Sequence, residues 1–191
     1  MAIDFMNSEK LSIFDWRLEK ETSKEKYMVS NFGIALLIAK RCIREKVPFI
    51  EITLSGWDTH NNNKERIQTL AKQFDLPFYH FVNELKAEGL WDHTLVYLNS
   101  EFGRKPELSP NGDGRDHHPS VWTCLLGGGN IPENHIIGES DKKGKDPIKN
   151  PITMNDLLST LYSKIGIDYK LKLYTSDNRP YLLIQNGEPI L

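Results

Sequence analysis

The sequence predicts a mixed α/β fold built around a mainly parallel β-sheet. Short runs of apolar and β-branched residues alternate with longer segments of helical periodicity. The order strand, helix, strand favours parallel strands joined by a crossover helix. Residues with metal-binding side chains follow several of the predicted strands, and ligand sites of α/β sheets lie beyond the carboxyl ends of strands. At 191 residues the chain is long enough for a domain with a substantial core.

Two helical segments precede the first predicted strand. Residues 8–27 are highly charged, with apolar residues at helical spacing, and predict a peripheral amphipathic helix capped by Ser8. Residues 31–45 carry an apolar face, and Pro48 ends this second helix. We therefore expect a peripheral helical segment at 1–30 and the main domain at 31–191.

The predicted sheet comes from three later segments. Residues 49–54 are rich in β-branched side chains and indicate a buried strand, and residues 94–98 and 121–126 indicate two more. A long helix is predicted at 64–88, with Pro77 as a kink or break. Gly89 is expected to stop this helix.

The rest of the chain combines long loops with one more helix. The loop at 101–119 is long enough to suggest a functional role. The three glycines at 127–129 lack the features of a phosphate-binding loop and predict a tight, close-packed turn. Thr153 is the expected N-cap of a helix ended by Gly166, and the tail holds an apolar run at 181–184.

Composition restricts the class of protein. There are 24 Lys and Arg against 26 Asp and Glu, with no dense basic block, so nucleic acid is not expected as a partner. The longest apolar run is too short to cross a membrane, and residues 1–4 lack a secretion signal, so a soluble chain is expected. Cys42 and Cys124 lie in apolar segments and predict buried, unpaired thiols.

Asp58 and His60 are the first candidate ligands. Because they are two residues apart, both side chains can turn to one side of an extended segment and offer an oxygen and a nitrogen to a metal ion. In the alternative interpretation, Asp58 caps the following helix and His60 is simply exposed.

Glu101 and Arg104 form the second candidate group. A carboxylate directly after an apolar strand must be paired, solvated or bound to a metal. Glu101 is thus either a metal ligand, which leaves Arg104 to grip an oxyanion as a catalytic residue, or the partner of Arg104 in an ion pair that holds the loop.

Asp116, His117 and His118 form the third group. Because they are consecutive, at most two of them can face one point, and one can act by orienting a ligand. A solvated surface loop is the alternative. Oxygen and nitrogen ligands together suit zinc or manganese.

These motifs, taken in order, resemble the DUF1501 family, a bacterial group related to sulfatases and alkaline phosphatases. The resemblance covers the chain from about Asn31 to its end and corresponds to the C-terminal half of such proteins. The segments that carry it are Gly56-Trp57-Asp58-Thr59-His60, Asp92-His93-Thr94-Leu95-Val96, Ser100-Glu101-Phe102-Gly103-Arg104, Gly114-Arg115-Asp116-His117, Gly127-Gly128-Gly129 and Ile137-Gly138-Glu139-Ser140-Asp141.

The resemblance implies a partial alkaline-phosphatase-like α/β/α sandwich and a metal-dependent hydrolase of phosphate or sulfate esters, with a small anionic ester as substrate. Asp58 and His60 would match ligands of one metal, Glu101 the carboxylate after the next core strand, and His117, with Asp116, the late histidine ligand. His118 occupies a variable position, and Lys105 stands where the family commonly has Thr.

The resemblance also implies that a segment is missing. Nothing before Asn31 resembles the family's first strand and nucleophile region, and relatives are often exported, so we expect a fragment whose N-terminal segment is absent. A fragment of this kind would bind metal with impaired hydrolysis. A non-catalytic metal- or ligand-binding module is the alternative function, and a purely structural set of ion pairs and caps is a third possibility.

Overall fold

The computed structural model describes residues 9–100, 102–110 and 112–191. It divides into two compact units. Unit 1 consists of Met1–Thr94 and Glu107–Asp116, and unit 2 consists of Leu95–Pro106 and His117–Leu191.

All the regular secondary structure described in unit 1 is helical. The segment predicted as one peripheral helix is instead broken into two 3-10 turns and a seven-residue α-helix, because Asp15 interrupts it by accepting a hydrogen bond from the Arg17 amide. The predicted cap Ser8 lies outside the described residues. In order, the helices are the 3-10 helices Glu9–Phe14 and Trp16–Leu18, α1 (Glu21–Tyr27), α2 (Asn31–Arg44), α3 (Asn63–Ala87) and the 3-10 helix Trp91–His93.

Helix α2 confirms its prediction and supplies much of the core of unit 1. The Ser30 hydroxyl caps it by accepting the Gly33 amide at 3.0 Å. Leu36, Leu37 and Cys42 are buried along one face. Gly33 itself is required, because a Cβ there would lie 2.0 Å from the Tyr27 carbonyl oxygen.

Helix α3 also confirms its prediction, and Pro77 does not break it. Pro77 is buried inside the continuous helix, between buried Leu70 and Phe81, so packing on both sides offsets the one backbone hydrogen bond that proline cannot donate. Gly89 ends the helix at φ 69°, and the next amide, that of Leu90, bonds back to Leu85 O at 2.9 Å.

An ionic network joins the three α-helices of unit 1. Lys40 of α2 is buried, 1% exposed, and donates to Glu84 of α3. The Tyr27 hydroxyl and the Lys26 ammonium, both of α1, donate to the same carboxylate at 2.9 Å each. This carboxylate therefore satisfies the only charge that the described residues bury almost completely.

The strand predicted at 49–54 is not formed, and this prediction was wrong. The segment has no regular structure, and none of its amides or carbonyls bonds to the backbone of a described residue. A strand exists only when a neighbouring backbone completes the ladder, and apolar composition alone cannot supply one.

Unit 2 contains helix α4 and all the described strands. Its strands are short and form four two-stranded antiparallel sheets, in which β1 pairs with β4, β2 with β3, β5 with β6 and β7 with β8. The strands are β1 (Val96–Leu98), β2 (Gly103–Arg104), β3 (His117–His118), β4 (Leu125–Gly127), β5 (Glu139–Ser140), β6 (Pro147–Lys149), β7 (Lys172–Tyr174) and β8 (Pro180–Leu182).

The combination of helices and strands agrees with the predicted α/β class, but the mainly parallel sheet does not occur among the described residues. Val96 pairs with Gly127 and Leu98 with Leu125, so β1 and β4 run in opposite directions. The reason is the connection: the described residues between these strands contain no helix, and the chain doubles back through the β2–β3 pair. The described residues are therefore not a parallel-sheet α/β/α sandwich.

Local signals later in the chain are confirmed. Helix α4 (Met154–Lys164) begins with a reciprocal capping box between Thr153 and Asp156, and Gly166 follows its end at φ 80°. In the triple-glycine turn, Gly129 packs so closely that a Cβ there would lie 3.2 Å from that of Leu95. Both cysteines are unpaired as predicted, but the predicted burial is confirmed only for Cys42, because Cys124 is half-buried. Burial raises the pKa of both thiols.

Among the residues that the structure describes, no helix combines the length and apolar character needed to cross a bilayer.

Candidate metal centre

Asp58 and His60 lie together in unit 1. The Asp58 Oδ1 atom is 2.9 Å from His60 Nδ1, and the two side chains are 68% and 45% exposed. The intervening Thr59 is completely buried. The chain thus alternates outward, inward and outward over three residues, as the i, i+2 spacing predicts for an extended segment.

The buried Thr59 anchors this segment to the start of helix α3. Its hydroxyl accepts a hydrogen bond from Asn63 Nδ2 at 2.6 Å, and Asn63 is 8% exposed. The N-cap position of α3 belongs to Asn62 rather than to Asp58. In the alternative interpretation, Asp58 is the cap and His60 is exposed; the structure gives the N-cap position to another residue, and it does show His60 exposed.

Residues 107–116 fold back onto the same segment. The Arg115 amide donates to Thr59 O at 3.3 Å, and the Asn63 amide donates to Asp113 O at 2.8 Å. Between these bonds, Gly114 lies against the His60 carbonyl: a Cβ there would be 1.6 Å from that oxygen. Only glycine allows this approach, which fixes the backbone that carries His60.

Asp116 ends this stretch of unit 1. It is half-buried, and the Ser109 hydroxyl lies 3.5 Å from its Oδ1 atom, at the limit of a hydrogen bond. The Ser109 amide donates to Gly114 O at 2.9 Å, so the loop is closed by its own backbone. Asp116 is therefore held on the same loop that packs against His60.

Arg104 and His117 lie together in unit 2. They are directly opposite in the β2–β3 pair, which puts their side chains on one face. The Phe102 ring stacks on His117 with centroids 3.9 Å apart, and the Arg104 guanidinium carbon is 5.7 Å from the Phe102 centroid. A planar aromatic side chain therefore contacts both groups and restricts their orientation.

Glu101 and His118 are the two remaining candidate residues. Glu101 lies outside the described residues, so its role as a metal ligand and its ion pair with Arg104 both stay predictions. His118 is half-buried, with Nε2 3.2 Å from Gly144 O in the loop between β5 and β6, which is a packing role.

The sequence did not identify the residues that support the candidate ligands. Asn63 follows Thr59 by four residues, and a Thr flanked by two outward-facing polar residues is a recognisable sign of an inward side chain. Gly114 gives only a weak signal, since many loop glycines have no close neighbour. Phe102 could have been noticed as an aromatic residue two positions before an arginine.

The donor atoms suit a divalent cation of intermediate hardness. A carboxylate oxygen and an imidazole nitrogen are ligands of zinc and manganese, and no thiolate is near them in sequence. These side chains can also serve as a hydrogen-bonded acid and base pair without any metal. The geometry supports either chemistry.

A family model described as "Protein of unknown function (DUF1501)" matches residues 1–191. The chain therefore belongs to the DUF1501 family. The match includes residues 1–30, which the sequence had predicted to be a peripheral segment outside the resemblance. No curated protein and no solved structure matches the chain.

Proposed function

We propose that this chain is a divalent-metal-dependent hydrolase of small phosphate or sulfate esters, with zinc or manganese held by Asp58 and His60. The observation that carries the proposal is the 2.9 Å approach of Asp58 Oδ1 and His60 Nδ1. This pair lies on a backbone fixed by buried Thr59 and by Gly114, and a metal site needs such pre-arranged ligands.

The distance between the two donor atoms supports binding to one ion. Two ligand atoms, each about 2.0 to 2.2 Å from the same tetrahedral zinc ion, are roughly 3.3 to 3.6 Å apart. Asp58 Oδ1 and His60 Nδ1 lie 2.9 Å apart, so a small rotation of either side chain would bring them to this separation. Binding would replace the proton between them with the cation, which predicts that metal affinity falls at low pH.

Further ligands are proposed from the third motif. Asp116 belongs to the loop that packs against the His60 backbone, and His117 is the next residue, with Cα atoms about 3.8 Å apart. Either side chain can complete a coordination shell, and Glu101 stays a proposed ligand.

Arg104 is proposed to bind the anionic substrate. Its guanidinium can donate two parallel hydrogen bonds to a phosphate or sulfate group, and the contact with the Phe102 ring limits its freedom before substrate binds. A bound divalent ion would polarise the ester and stabilise developing negative charge.

The relation to sulfatases and alkaline phosphatases is part of this proposal. It is supported by the order of the motifs that end in Asp58-Thr59-His60, Glu101 to Arg104 and Asp116-His117.

Calorimetric titration with ZnCl₂ and MnCl₂ tests the metal site. Asp58→Asn and His60→Gln each remove one ligand with little change of shape and should weaken binding by about tenfold to a hundredfold. Asp75→Asn and His93→Gln change the same residue types at exposed positions elsewhere and should bind like the wild type. Equal affinity in all five proteins, or no heat of binding in the wild type, would refute the site.

Turnover separates an enzyme from a binding module. We expect the metal-loaded chain to hydrolyse p-nitrophenyl phosphate or sulfate slowly, and Arg104→Lys to reduce kcat while the metal affinity stays unchanged, because lysine cannot form the two parallel bonds. Arg179→Lys, at an 82% exposed side chain, is the matched control. Metal binding without any turnover would leave the enzyme proposal unsupported and favour the second function.

That second function is a metal-binding module without catalysis. The observation favouring it is the exposure of Asp58 and His60, 68% and 45%, because active sites generally exclude water from the reacting groups. A purely structural Asp58–His60 pair is the third possibility, and it predicts no metal binding in the titration.

A further inference from the structure

Asn186 and Gly187 lie in the bend that follows strand β8. Asn186 is exposed and has a left-handed backbone, with φ 54°, whereas Gly187 is buried. A glycine directly after an asparagine has no Cβ to obstruct the approach of its backbone nitrogen to the asparagine side chain. Asparagine is also one of the thermolabile residues of proteins. The pair is therefore a candidate for spontaneous chemistry within the chain.

The two groups that would react are both without hydrogen bonds. The Gly187 amide and the Asn186 side chain make no hydrogen bond to any described residue. Gly187 packs through its Cα instead: a Cβ there would lie 2.3 Å from Asn155 O and 2.6 Å from Ser159 Oγ. Because these contacts are made by Cα, the amide nitrogen of Gly187 can still attack the exposed side chain.

Asn178 provides a comparison within the same chain. It is also exposed and left-handed, with φ 67°. The next residue is Arg179, whose Cβ hinders the approach and whose amide donates to Thr175 Oγ1 at 3.0 Å. The two asparagines therefore share their exposure and backbone conformation and differ in the residue that follows.

We propose that Asn186 is a self-modification site that converts to aspartate and isoaspartate. The Gly187 nitrogen attacks Cγ of Asn186, a new C–N bond forms, and the bond from Cγ to the side-chain nitrogen breaks. The proton of the Gly187 amide leaves with that nitrogen, as ammonia. Water then opens the five-membered succinimide ring at either carbonyl carbon, which gives aspartate or isoaspartate.

Isoaspartate at this position would disturb the packing of the following segment on helix α4, because it adds one methylene to the backbone. On one side, Asn155 Nδ2 donates to Gln185 O at 2.7 Å, and on the other the Glu188 amide donates to Asp156 Oδ1 at 3.0 Å. The two bonds cannot both keep this geometry when the backbone between them lengthens. Asp156 belongs to the capping box of α4, so the modification acts on the start of that helix.

Incubation of the purified chain at mildly alkaline pH tests the site, because the Gly187 nitrogen attacks after losing its proton. Trypsin yields one peptide, 173–191, that contains both asparagines, since Arg179 precedes a proline. Tandem mass spectrometry should locate a gain of about 1 Da at Asn186. This gain should appear at least about tenfold faster than at Asn178, because only Asn186 is followed by an unhindered nitrogen.

Asn186→Gly and Asn178→Gly are matched variants, because glycine adopts a left-handed φ at either position. Asn186→Gly should remove nearly all of the mass gain in this peptide, and Asn178→Gly should leave its rate unchanged. Equal rates at the two asparagines, or an Asn186 that stays unmodified through a prolonged incubation, would overturn the proposal.

Asn186→Asp separates the added charge from the lengthened backbone, because it reproduces one product without isoaspartate. We expect the incubated wild type to exchange its Glu188 amide faster and to unfold at a lower temperature, and Asn186→Asp to behave like fresh wild type. Loss of Glu188 protection to the same extent in Asn186→Asp would refute the effect of isoaspartate on α4, because the charge alone would then account for it.

Discussion

Three consecutive residues, Asp58, Thr59 and His60, define the candidate site at the residue scale. Thr59 is fully buried, whereas the two residues beside it are exposed. The hydrogen bond of the buried Thr59 hydroxyl therefore sets the direction of the exposed Asp58 and His60 side chains. The sequence could predict this alternation, because i, i+2 geometry is local. It could not predict the contact of Gly114 with His60, because that depends on a chain reversal more than 50 residues later.

Gly114→Ala tests whether the close backbone contact supports the ligands. A Cβ at this position would lie 1.6 Å from His60 O, so the loop or the His60 segment must move, and we expect metal affinity to fall by roughly tenfold or more. Calorimetric titration measures this affinity.

Gly33→Ala is the matched control for that experiment. Its Cβ would also strike a backbone carbonyl, that of Tyr27 at 2.0 Å, but in helix α2. It should lower the unfolding temperature and leave metal affinity unchanged. If both variants lose metal equally, the effect is general destabilisation and not support of the site.

Arg104 and His117 show what can and cannot be predicted from residue types alone. Both were candidates from the sequence, and the structure puts them opposite each other in β2 and β3. The stacking of the Phe102 ring on His117 was not predicted. Which aromatic ring contacts which side chain depends on how the strands pair.

At the scale of elements, the three longest helices were predicted well, whereas the N-terminal helix and the strands were predicted poorly. Helices α2, α3 and α4 agree with their apolar periodicity and caps, since both signals lie within the helix itself. The strands at 49–54 and 121–126 were absent or shorter than predicted, because pairing depends on distant backbone. The direction of β4 relative to β1 was wrong for the same reason.

The Glu84 carboxylate links the helices of unit 1 and should make stability depend on pH. Burial alone would raise the pKa of Glu84, but hydrogen bonds from Lys40, Lys26 and Tyr27 outweigh it and lower the pKa to about 2. An unfolded glutamate has an ordinary pKa of 4.5. The stabilisation is therefore complete above pH 4.5 and is lost as the pH falls toward about 2.

Chemical denaturation of Glu84→Gln measures this contribution. The substitution leaves buried Lys40 without its carboxylate and should cost about 3 to 5 kcal/mol near neutral pH. The difference from wild type should shrink as both proteins are acidified. Glu21→Gln breaks the exposed pair with Lys24 and should cost less than about 1 kcal/mol. A cost for Glu84→Gln that does not change with pH would contradict the linkage.

At the scale of the whole molecule, the chain belongs to the DUF1501 family, and its candidate residues belong to two compact units. Asp58, His60 and Asp116 belong to unit 1, and Arg104 and His117 belong to unit 2. Sequence motifs made all five residues candidates through their side-chain types, and their functional roles stay predictions. The motifs could not predict that the strands around these residues pair antiparallel, because strand pairing depends on segments that are distant in the sequence.

Anomalous diffraction at the zinc edge, from crystals grown with zinc, tests the central claim most directly. The account predicts a peak about 2.0 to 2.2 Å from an Asp58 oxygen and a His60 nitrogen. That peak should be absent from crystals of Asp58→Asn grown in the same way. Zinc bound only at other side chains, with Asp58 and His60 still joined by their 2.9 Å contact, would contradict it.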